Sequence, residues 1–259
     1  MSVETGAMHK IIALSALLFV GACVADETDS PNLSSTDQHV TATNRISFNR
    51  ISFNRISFNR ISFNGLQNVT SGDGSLLDSD EGRTLLAYTV GCALPSGQDL
   101  ALAAADGVTY HFAGSLGLAP NWYSSPMTDS EKHWVSSCLL SRCNAYGISV
   151  QFSMRGANSA LTVDTDESAA FGLREAAFWG DLFDGTAEAH ACAGPLKLAS
   201  SQLSTMPLRD CSVSDPTDPA HTKCGMDYAG ACADVCTDAN GIYTGCGGSD
   251  AVVTTYLAN

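Results

Sequence analysis

Cysteine is the most informative residue type in this chain of 259 residues. Nine of its ten cysteines follow residue 64, and four of these are separated by 8, 4 and 10 residues, from Cys224 through Cys232 and Cys236 to Cys246. Zinc sites use paired ligands at shorter spacing, so no metal site is predicted. Disulfides, which are typical of exported proteins, explain the cysteines better. The candidate residues are Cys92, Cys138, Cys192, Cys211, Cys224, Cys232, Cys236 and Cys246.

An odd number of cysteines leaves one outside these disulfides unless it pairs between molecules. Cys138 and Cys143 cannot bridge each other if both are helical, because five residues place them about 140° apart around the helix axis. Cys143 lies near the end of that predicted helix. We therefore predict that Cys143 is the cysteine left over.

Nucleophilic catalysis has weak support in the sequence. Residues 113–117 place Ser115 in a pattern similar to a serine elbow, but alanine replaces the first glycine and the segment follows a hairpin. A turn is the better interpretation. A cysteine–histidine pair is possible in principle, although oxidised cysteines are not nucleophiles. The residues for such a pair are Cys138 or Cys143 with His111, His133 or His190, and no catalytic residue is assigned.

Two short loops are rich in oxygen ligands. One contains Asp164, Asp166 and Glu167, and the other contains Asp238 followed by Asn240 and Gly241. Neither completes the 12-residue calcium loop that ends in glutamate. Solvated turns are therefore favoured over calcium sites, and no cofactor is predicted.

A dense aromatic run covers residues 178–183. Such a run could line a carbohydrate-binding groove. Buried strand residues are the commoner origin of aromatic runs, because large rings contribute strongly to hydrophobic cores. We favour the buried strand.

Local patterns predict the elements that must position these residues. Residues 84–90 are apolar and β-prone, and residues 99–112 form the clearest hairpin because Asp106 and Gly107 suit its tight turn. Thr128 and Glu131 fit a capping box, which predicts a helix to about Ala145. Further strands are predicted over residues 148–153, 176–183 and 252–257.

The spacing of these elements indicates the fold class. Short strands, one main helix and no repeated βαβ pattern favour an α+β or mainly β fold with an antiparallel sheet. Residues 83–259 are predicted to form a single disulfide-stabilised globular domain after a linker over residues 65–82. From Cys192 onward, Pro, Gly, Asp and Cys become more frequent, which predicts a disulfide-rich, loop-rich C-terminal subregion.

The charge of the chain excludes some partners. Its net charge is -14, and residues 65–259 hold 8 basic and 22 acidic residues, so this part carries the whole net charge. Nucleic-acid binding needs basic surface, so no nucleic-acid partner is expected. The densest basic stretch is the set of four arginines in the segment before residue 65, which are Arg45, Arg50, Arg55 and Arg60.

The first residues have the features of an export signal. Lys10 precedes an apolar run over residues 11–20, which is too short to span a bilayer. The sequence from Val20 to Cys23 resembles the lipobox of bacterial lipoproteins. That resemblance implies removal of residues 1–22, acylation of Cys23 and, because Val24 rather than aspartate follows, an outer-membrane location. The alternative is an ordinary signal peptide.

A spacer separates this signal from the domain. Residues 23–43 are rich in Asp, Ser and Thr. They are predicted to form the lipidated N-terminus and a flexible tether that follows it. Residues 44–64 contain the pentapeptide Asn-Arg-Ile-Ser-Phe four times. A low-complexity spacer is favoured over a pentapeptide-repeat β-solenoid, because a solenoid needs about three stacked neighbours. Tandem pentapeptides behind a lipobox also resemble those in cysteine-rich predicted lipoproteins of myxobacteria, a resemblance that names no activity.

These observations lead to two expectations of function. The first is a cell-envelope lipoprotein, anchored to the membrane by its lipidated N-terminus, whose acidic domain has a binding or structural role. The second is a secreted hydrolase tethered at the surface. No ligand or protein partner is identified from the sequence.

Overall fold

The computed structural model describes residues 41–44, 76–77, 79–103, 108–146, 150–183, 187–199 and 209–259. The predicted signal segment, Cys23, most of the predicted tether and the repeats after Asn44 lie outside these residues. In chain order the elements are β1 (Thr41–Asn44), α1 (Asp80–Ala93), β2 (Asp99–Ala103), β3 (Thr109–Ala113), α2 (Asp129–Ser141), β4 (Val150–Arg155), a 3₁₀ helix (Ser159–Leu161), α3 (Thr165–Ala170), β5 (Leu173–Asp181), β6 (Glu188–Ala193), α4 (Pro195–Leu198), β7 (Ser214–Asp215), β8 (Asp218–Thr222), β9 (Asp227–Ala231), α5 (Cys232–Val235), β10 (Thr237–Ala239), β11 (Ile242–Thr244) and β12 (Val253–Leu257).

Eight of the described strands form one sheet, in the order β1-β4-β12-β5-β6-β9-β8-β7. Neighbouring strands are antiparallel except β6 and β9, which are parallel. Two antiparallel hairpins, β2–β3 and β10–β11, lie outside this sheet. The predicted α+β class with a largely antiparallel sheet is confirmed.

The central strands are buried on both faces. In β5, Ala176 and Phe178 belong to a large core that also contains residues of α1 and α2, whereas Ala177 and Trp179 belong to a smaller core. Successive side chains of a strand point to opposite faces, so these two cores lie on opposite sides of the sheet. The smaller core contains Cys192, Cys232, Cys246 and Tyr243 from the C-terminal subregion. Burial on both faces explains why residues 176–179 of β5 are all apolar.

The predicted capping box starts α2. The Thr128 hydroxyl accepts a hydrogen bond from the backbone N–H of Glu131 at 3.3 Å, and the Glu131 carboxylate accepts one from the backbone N–H of Thr128 at 2.7 Å. The helix ends at Ser141, four residues before the predicted end. There the chain turns away, because the N–H of Ala145 donates to the carbonyl of Arg209 instead of continuing the helix.

The strand predicted over residues 84–90 is wrong, since these residues lie within helix α1. Ser79 caps the helix by accepting a hydrogen bond from the N–H of Gly82 at 3.0 Å. Leu85, Leu86 and Val90 are buried in the large core. The local pattern of this segment favours a strand. It forms a helix because it packs against α2 and β3. Leu77 is also buried in the large core, so part of the linker predicted over residues 65–82 packs against the domain.

The other predicted elements lie near their expected positions. The hairpin over residues 99–112 is formed by β2 and β3, although its predicted turn, Asp106 and Gly107, lies outside the described residues. β4, β5 and β12 correspond to the three further predicted strands. Strand β1 covers the end of the predicted tether and the first residue of the predicted repeats, and it pairs with β4 at the edge of the sheet. Among the described residues, no helix is long and apolar enough to cross a membrane.

Four disulfides join cysteines of the described residues. Cys92–Cys138 links α1 to α2, and Cys143 lies buried outside these four bonds. Burial raises the pKa of the Cys143 thiol well above its ordinary value. The other bonds lie in the C-terminal subregion and are Cys192–Cys232, Cys211–Cys224 and Cys236–Cys246.

A cluster of buried charged side chains links the C-terminal subregion to the sheet. Glu175 of β5 accepts hydrogen bonds from Arg209 at 3.0 and 3.2 Å and lies 3.6 Å from the ammonium of Lys197. Burial alone would raise the pKa of the Glu175 carboxyl, but the charges of Arg209 and Lys197 and the hydrogen bonds that it accepts outweigh burial and lower it. Asp210 extends the cluster by pairing with Lys197 at 3.3 Å.

Candidate ligand-binding cleft

An open cleft of about 510 Å³ lies where the N-terminus of α2 meets one end of β5 and β6. A loop before β12 forms its remaining wall. The residues that line it are Asp129, Ser130, His133, Trp134, Trp179, Gly180, Asp181, Glu188, His190, Gly247, Gly248, Ser249, Asp250 and Ala251. Its volume is within the range of small-molecule sites.

The first turns of α2 supply one wall. Asp129 and His133 are four residues apart, as are Ser130 and Trp134, so each pair lies on one helix face. The capping box fixes where this helix begins. The helix start therefore determines which side chains reach the cleft.

The register of β5 and β6 supplies the opposite wall. Trp179 is directly opposite His190, and Asp181 is directly opposite Glu188. Residues opposite each other on neighbouring strands share a face of the sheet. Gly180 lies between them with a φ of 149°, and a Cβ there would lie 2.2 Å from the carbonyl oxygen of Glu188. Only glycine allows this close approach of the two strands.

Carboxylates dominate the charge of the cleft. Asp129, Asp181, Glu188 and Asp250 line it, and none of the described lining residues is lysine or arginine. A hydrogen bond from Lys132 and the charge of that side chain lower the pKa of Asp129. That ion pair has an N–O distance of 2.7 Å and lies at the protein surface. The cleft is therefore a region of negative potential.

Its histidines are oriented by neighbouring groups. His133 Nε2 lies 3.3 Å from Asp181 Oδ2, and Asp181 Oδ1 accepts a hydrogen bond of 2.8 Å from the N–H of Phe183. His190 stacks on Trp179, with ring centroids 5.6 Å apart and planes inclined by 20°. These contacts hold both rings at the walls of the cleft.

A glycine allows the third wall to approach Trp179. Gly247 has a φ of 58°, and a Cβ at this position would lie 3.0 Å from the indole nitrogen of Trp179. A larger residue would be strained there and would push the loop away from the indole. Gly247 thus sets the width of the cleft beside Trp179.

Other residues considered from the sequence have structural roles. Cys138 is in a disulfide, His111 is on β3, and Ser115 is hydrogen-bonded through its N–H to the carbonyl of Leu94. The predicted oxygen-rich loops are a helix cap and a hairpin turn. Asp164 caps α3 by accepting from the N–H of Glu167, and Asp238 accepts from the N–H of Gly241 and pairs with Arg174.

The aromatic run over residues 178–183 divides between the two faces. Phe178 is in the large core, as expected for a buried strand, whereas Trp179 reaches the cleft. Sequence reasoning singled out His133 and His190 but missed Asp129, Glu188 and Asp250. The glycines before Asp250 signal a loop, but nothing local shows that this loop meets β5.

Among the described residues, one group of three ligating atoms lies within 4.8 Å of one another, in Cys192, Cys232 and Cys236. All three sulfurs belong to disulfides, so they are not free to bind a metal ion. Comparisons with known protein families, curated proteins and solved structures give no match to this chain.

Proposed function

We propose that this protein is a lipid-anchored protein of the bacterial cell envelope whose acidic domain binds an organic cation in the cleft. The lipobox-like sequence from Val20 to Cys23 supports the anchor, and Val24 supports an outer-membrane location. The four disulfides are compatible with an oxidising compartment. The membrane is the partner of the lipidated N-terminus, and no nucleic acid is involved.

The binding proposal rests on one observation: carboxylates and indole rings line the same cleft. Four carboxylates attract a positive charge, and the partly exposed Trp134 offers ring surface beside them, while the buried Trp179 contributes its edge to the wall. A cation over an indole face is stabilised by about 0.5–2 kcal/mol, depending on its exposure to water. Primary amines and guanidinium groups satisfy both features, because they donate hydrogen bonds to carboxylates and stack on rings.

Calorimetric titration of the purified full-length protein with spermidine and agmatine tests this proposal. Saturable binding that weakens at high salt is expected, because exposed charges are screened. Asp181→Asn should weaken binding about tenfold, since a charge-assisted hydrogen bond contributes about 1.5 kcal/mol. Asparagine keeps the Oδ1 acceptor for the N–H of Phe183, so the fold is retained.

A matched variant controls for the loss of net charge. Asp166→Asn removes one exposed carboxylate from α3, outside the cleft, and should leave binding unchanged. Gly247→Ala removes no charge but alters the loop beside Trp179, and should weaken binding. Equal affinity of all variants, or no binding of either cation, would reject the cleft as a cation site.

The lipid anchor has a separate test. Wild-type protein expressed in a bacterial host should partition with the membrane fraction, and mass spectrometry should find an acylated N-terminal peptide that begins at Cys23. Cys23→Ser should shift the protein to the soluble envelope fraction. Recovery of an unmodified Cys23 peptide would leave the ordinary signal peptide as the correct interpretation.

A surface-tethered hydrolase is the second candidate, and the contact of His133 with Asp181 favours it. A histidine oriented by a carboxylate can serve as a general base. Ser130 and Ser249 line the same cleft and offer hydroxyl groups. Labelling by a fluorophosphonate probe that is lost in His133→Asn would favour the hydrolase over the binding protein.

A further inference from the structure

Two histidines line the cleft, and each lies beside a carboxylate. His133 Nε2 lies 3.3 Å from Asp181 Oδ2, and His190 Nδ1 lies 3.4 Å from Asp227 Oδ2. Both rings are in contact with water, since the side chain of His133 is 45 % exposed and that of His190 is 29 % exposed. Imidazole is the side-chain group that ordinarily gains a positive charge as the pH falls from 8 to 5. The charge of the cleft can therefore change within this range.

His133 shares its carboxylate with the proposed ligand. Asp181 Oδ1 already accepts a hydrogen bond of 2.8 Å from the N–H of Phe183, which leaves Oδ2 to a second donor. The distance from this oxygen to the ring is long for a hydrogen bond between nitrogen and oxygen. A protonated ring instead forms a charge-assisted pair, which is about twice as strong as a neutral one. Protonation thus makes His133 an internal competitor for an oxygen that a bound cation uses.

The other carboxylates near His133 also face the ligand. Asp129 lies one turn earlier on α2, where Lys132 pairs with it at 2.7 Å. Asp250 lines the cleft from the loop before β12. Protonated His133 is therefore balanced by the same negative charges that attract a cation, and each charge it neutralises is lost to the ligand.

His190 adds its charge to the opposite wall. Its ring stacks on Trp179, with ring centroids 5.6 Å apart, so the charge cannot move away from the cleft without breaking this contact. Glu188 lies two residues earlier on β6 and therefore on the same face of the sheet. A positive ring at this position repels a bound cation and attracts the carboxylate of Glu188.

The carboxylate beside His190 is shared with another histidine. His221 Nε2 lies 3.4 Å from Asp227 Oδ1, and His221 Nδ1 lies 2.8 Å from Asp218 Oδ2. In acid, Asp227 therefore faces two positive rings and cannot balance both. The charge of protonated His190 is left to act on the cleft.

We propose that the cleft binds its organic cation near neutral pH and releases it as the pH falls toward 5.5. This inference rests on the cation site proposed above. Protonation of His133 and His190 adds two positive charges to a site whose described lining residues include four carboxylates and no lysine or arginine. By linkage, a bound cation disfavours protonation of the two rings to the same extent.

Calorimetric titration of the purified full-length protein with agmatine at pH 7.5, 6.5 and 5.5 tests this inference. The amine and the guanidinium group of agmatine both stay charged in this range. The affinity should fall by about tenfold or more between pH 7.5 and 5.5, because each of the two added charges opposes the ligand. Binding at pH 6.5 should also release protons, so that the measured heat depends on the ionisation enthalpy of the buffer.

Histidine variants assign the effect to the cleft. In the double variant His133→Asn and His190→Gln, the ratio of the affinities at pH 7.5 and 5.5 should be close to one. Each single variant should reduce the ratio in part, which keeps the test available if the double variant does not fold. His111→Asn on β3, outside the cleft, should keep the wild-type ratio. Circular dichroism at pH 5.5 shows whether each protein remains folded.

The cation site and its pH dependence fail in different ways. Absence of binding at pH 7.5 would reject the cation site and this inference with it. Saturable binding of equal affinity at pH 7.5 and 5.5 would overturn the pH-dependent release alone. A wild-type ratio in the folded histidine variants would likewise show that His133 and His190 do not control release.

Discussion

Replacing Glu175 with glutamine is expected to destabilise the folded protein by about 3–5 kcal/mol. This is the usual cost of removing one charged partner of a buried ion pair. The Glu175 and Arg209 side chains are each 1 % exposed, and that of Lys197 is fully buried. Two unit charges about 4 Å apart attract by about 4 kcal/mol at an effective dielectric constant of 20. The variant leaves Arg209 without its carboxylate partner, while Lys197 keeps Asp210.

Urea unfolding followed by tryptophan fluorescence measures this cost, as a lower midpoint at unchanged slope. Glu188→Gln makes the same chemical change at an exposed position and should shift stability by no more than about 0.5 kcal/mol. The double variant Glu175→Leu and Arg209→Met should cost less than Glu175→Gln, because it leaves no unmatched charge in the pair. A loss below about 1 kcal/mol for Glu175→Gln would refute a desolvated pair.

The same cluster sets the stability of the protein in acid. The pKa of Glu175 is lower in the folded protein than its ordinary value, so the unfolded chain takes up a proton first as pH falls. The stabilisation is therefore complete above the pKa of the unfolded state and is lost as pH falls through the folded pKa. Glu175→Gln should lack this part of the acid dependence. Parallel stability curves for both proteins below pH 5 would contradict this linkage.

Three further outcomes follow from the helices and their disulfide. Cys92→Ala with Cys138→Ala should cost about 4 kcal/mol in urea unfolding, from the entropy of a loop closed over 46 residues. Thr128→Ala should cost about 1 kcal/mol in the same assay, because α2 loses its cap. Cys143 should react with iodoacetamide only as the protein unfolds, since burial raises its pKa, and fast labelling of folded protein would contradict this.

The sequence correctly predicted elements whose ends are defined by hydrogen bonds between residues close together in the chain. Thr128 and Glu131 define the start of α2 through contacts three residues apart, and the sequence shows both. Ser79 also caps the start of α1, but the apolar run from Leu85 fits a strand as well as a buried helix, so the local signals there do not agree. Its packing against α2 decides the outcome, and one sequence cannot show that contact.

The sequence indicated individual residues of the cleft but not how they are arranged. His133 and His190 were recognised as chemically capable residues, but their relation to Asp181 and Asp227 depends on strand register and on the position of α2. Register is set by long-range pairing, since β12 lies between β4 and β5 although it comes last in the chain. The order of strands, rather than any motif, brings the cleft together.

The contacts of the basic residues explain why the surface of the domain is acidic. Each of the eight basic residues after residue 64 already has a partner, either an aromatic ring or a carboxylate. Arg83, Arg142, Arg155, Arg174, Arg209 and Lys223 lie over aromatic rings, Lys132 pairs with Asp129, and Lys197 is buried in the ion cluster. The positive charge is therefore used in packing, while carboxylates such as Glu188 and Asp250 remain at the surface. A ligand that approaches this domain meets uncompensated negative charge, which favours cations over anions at its surface.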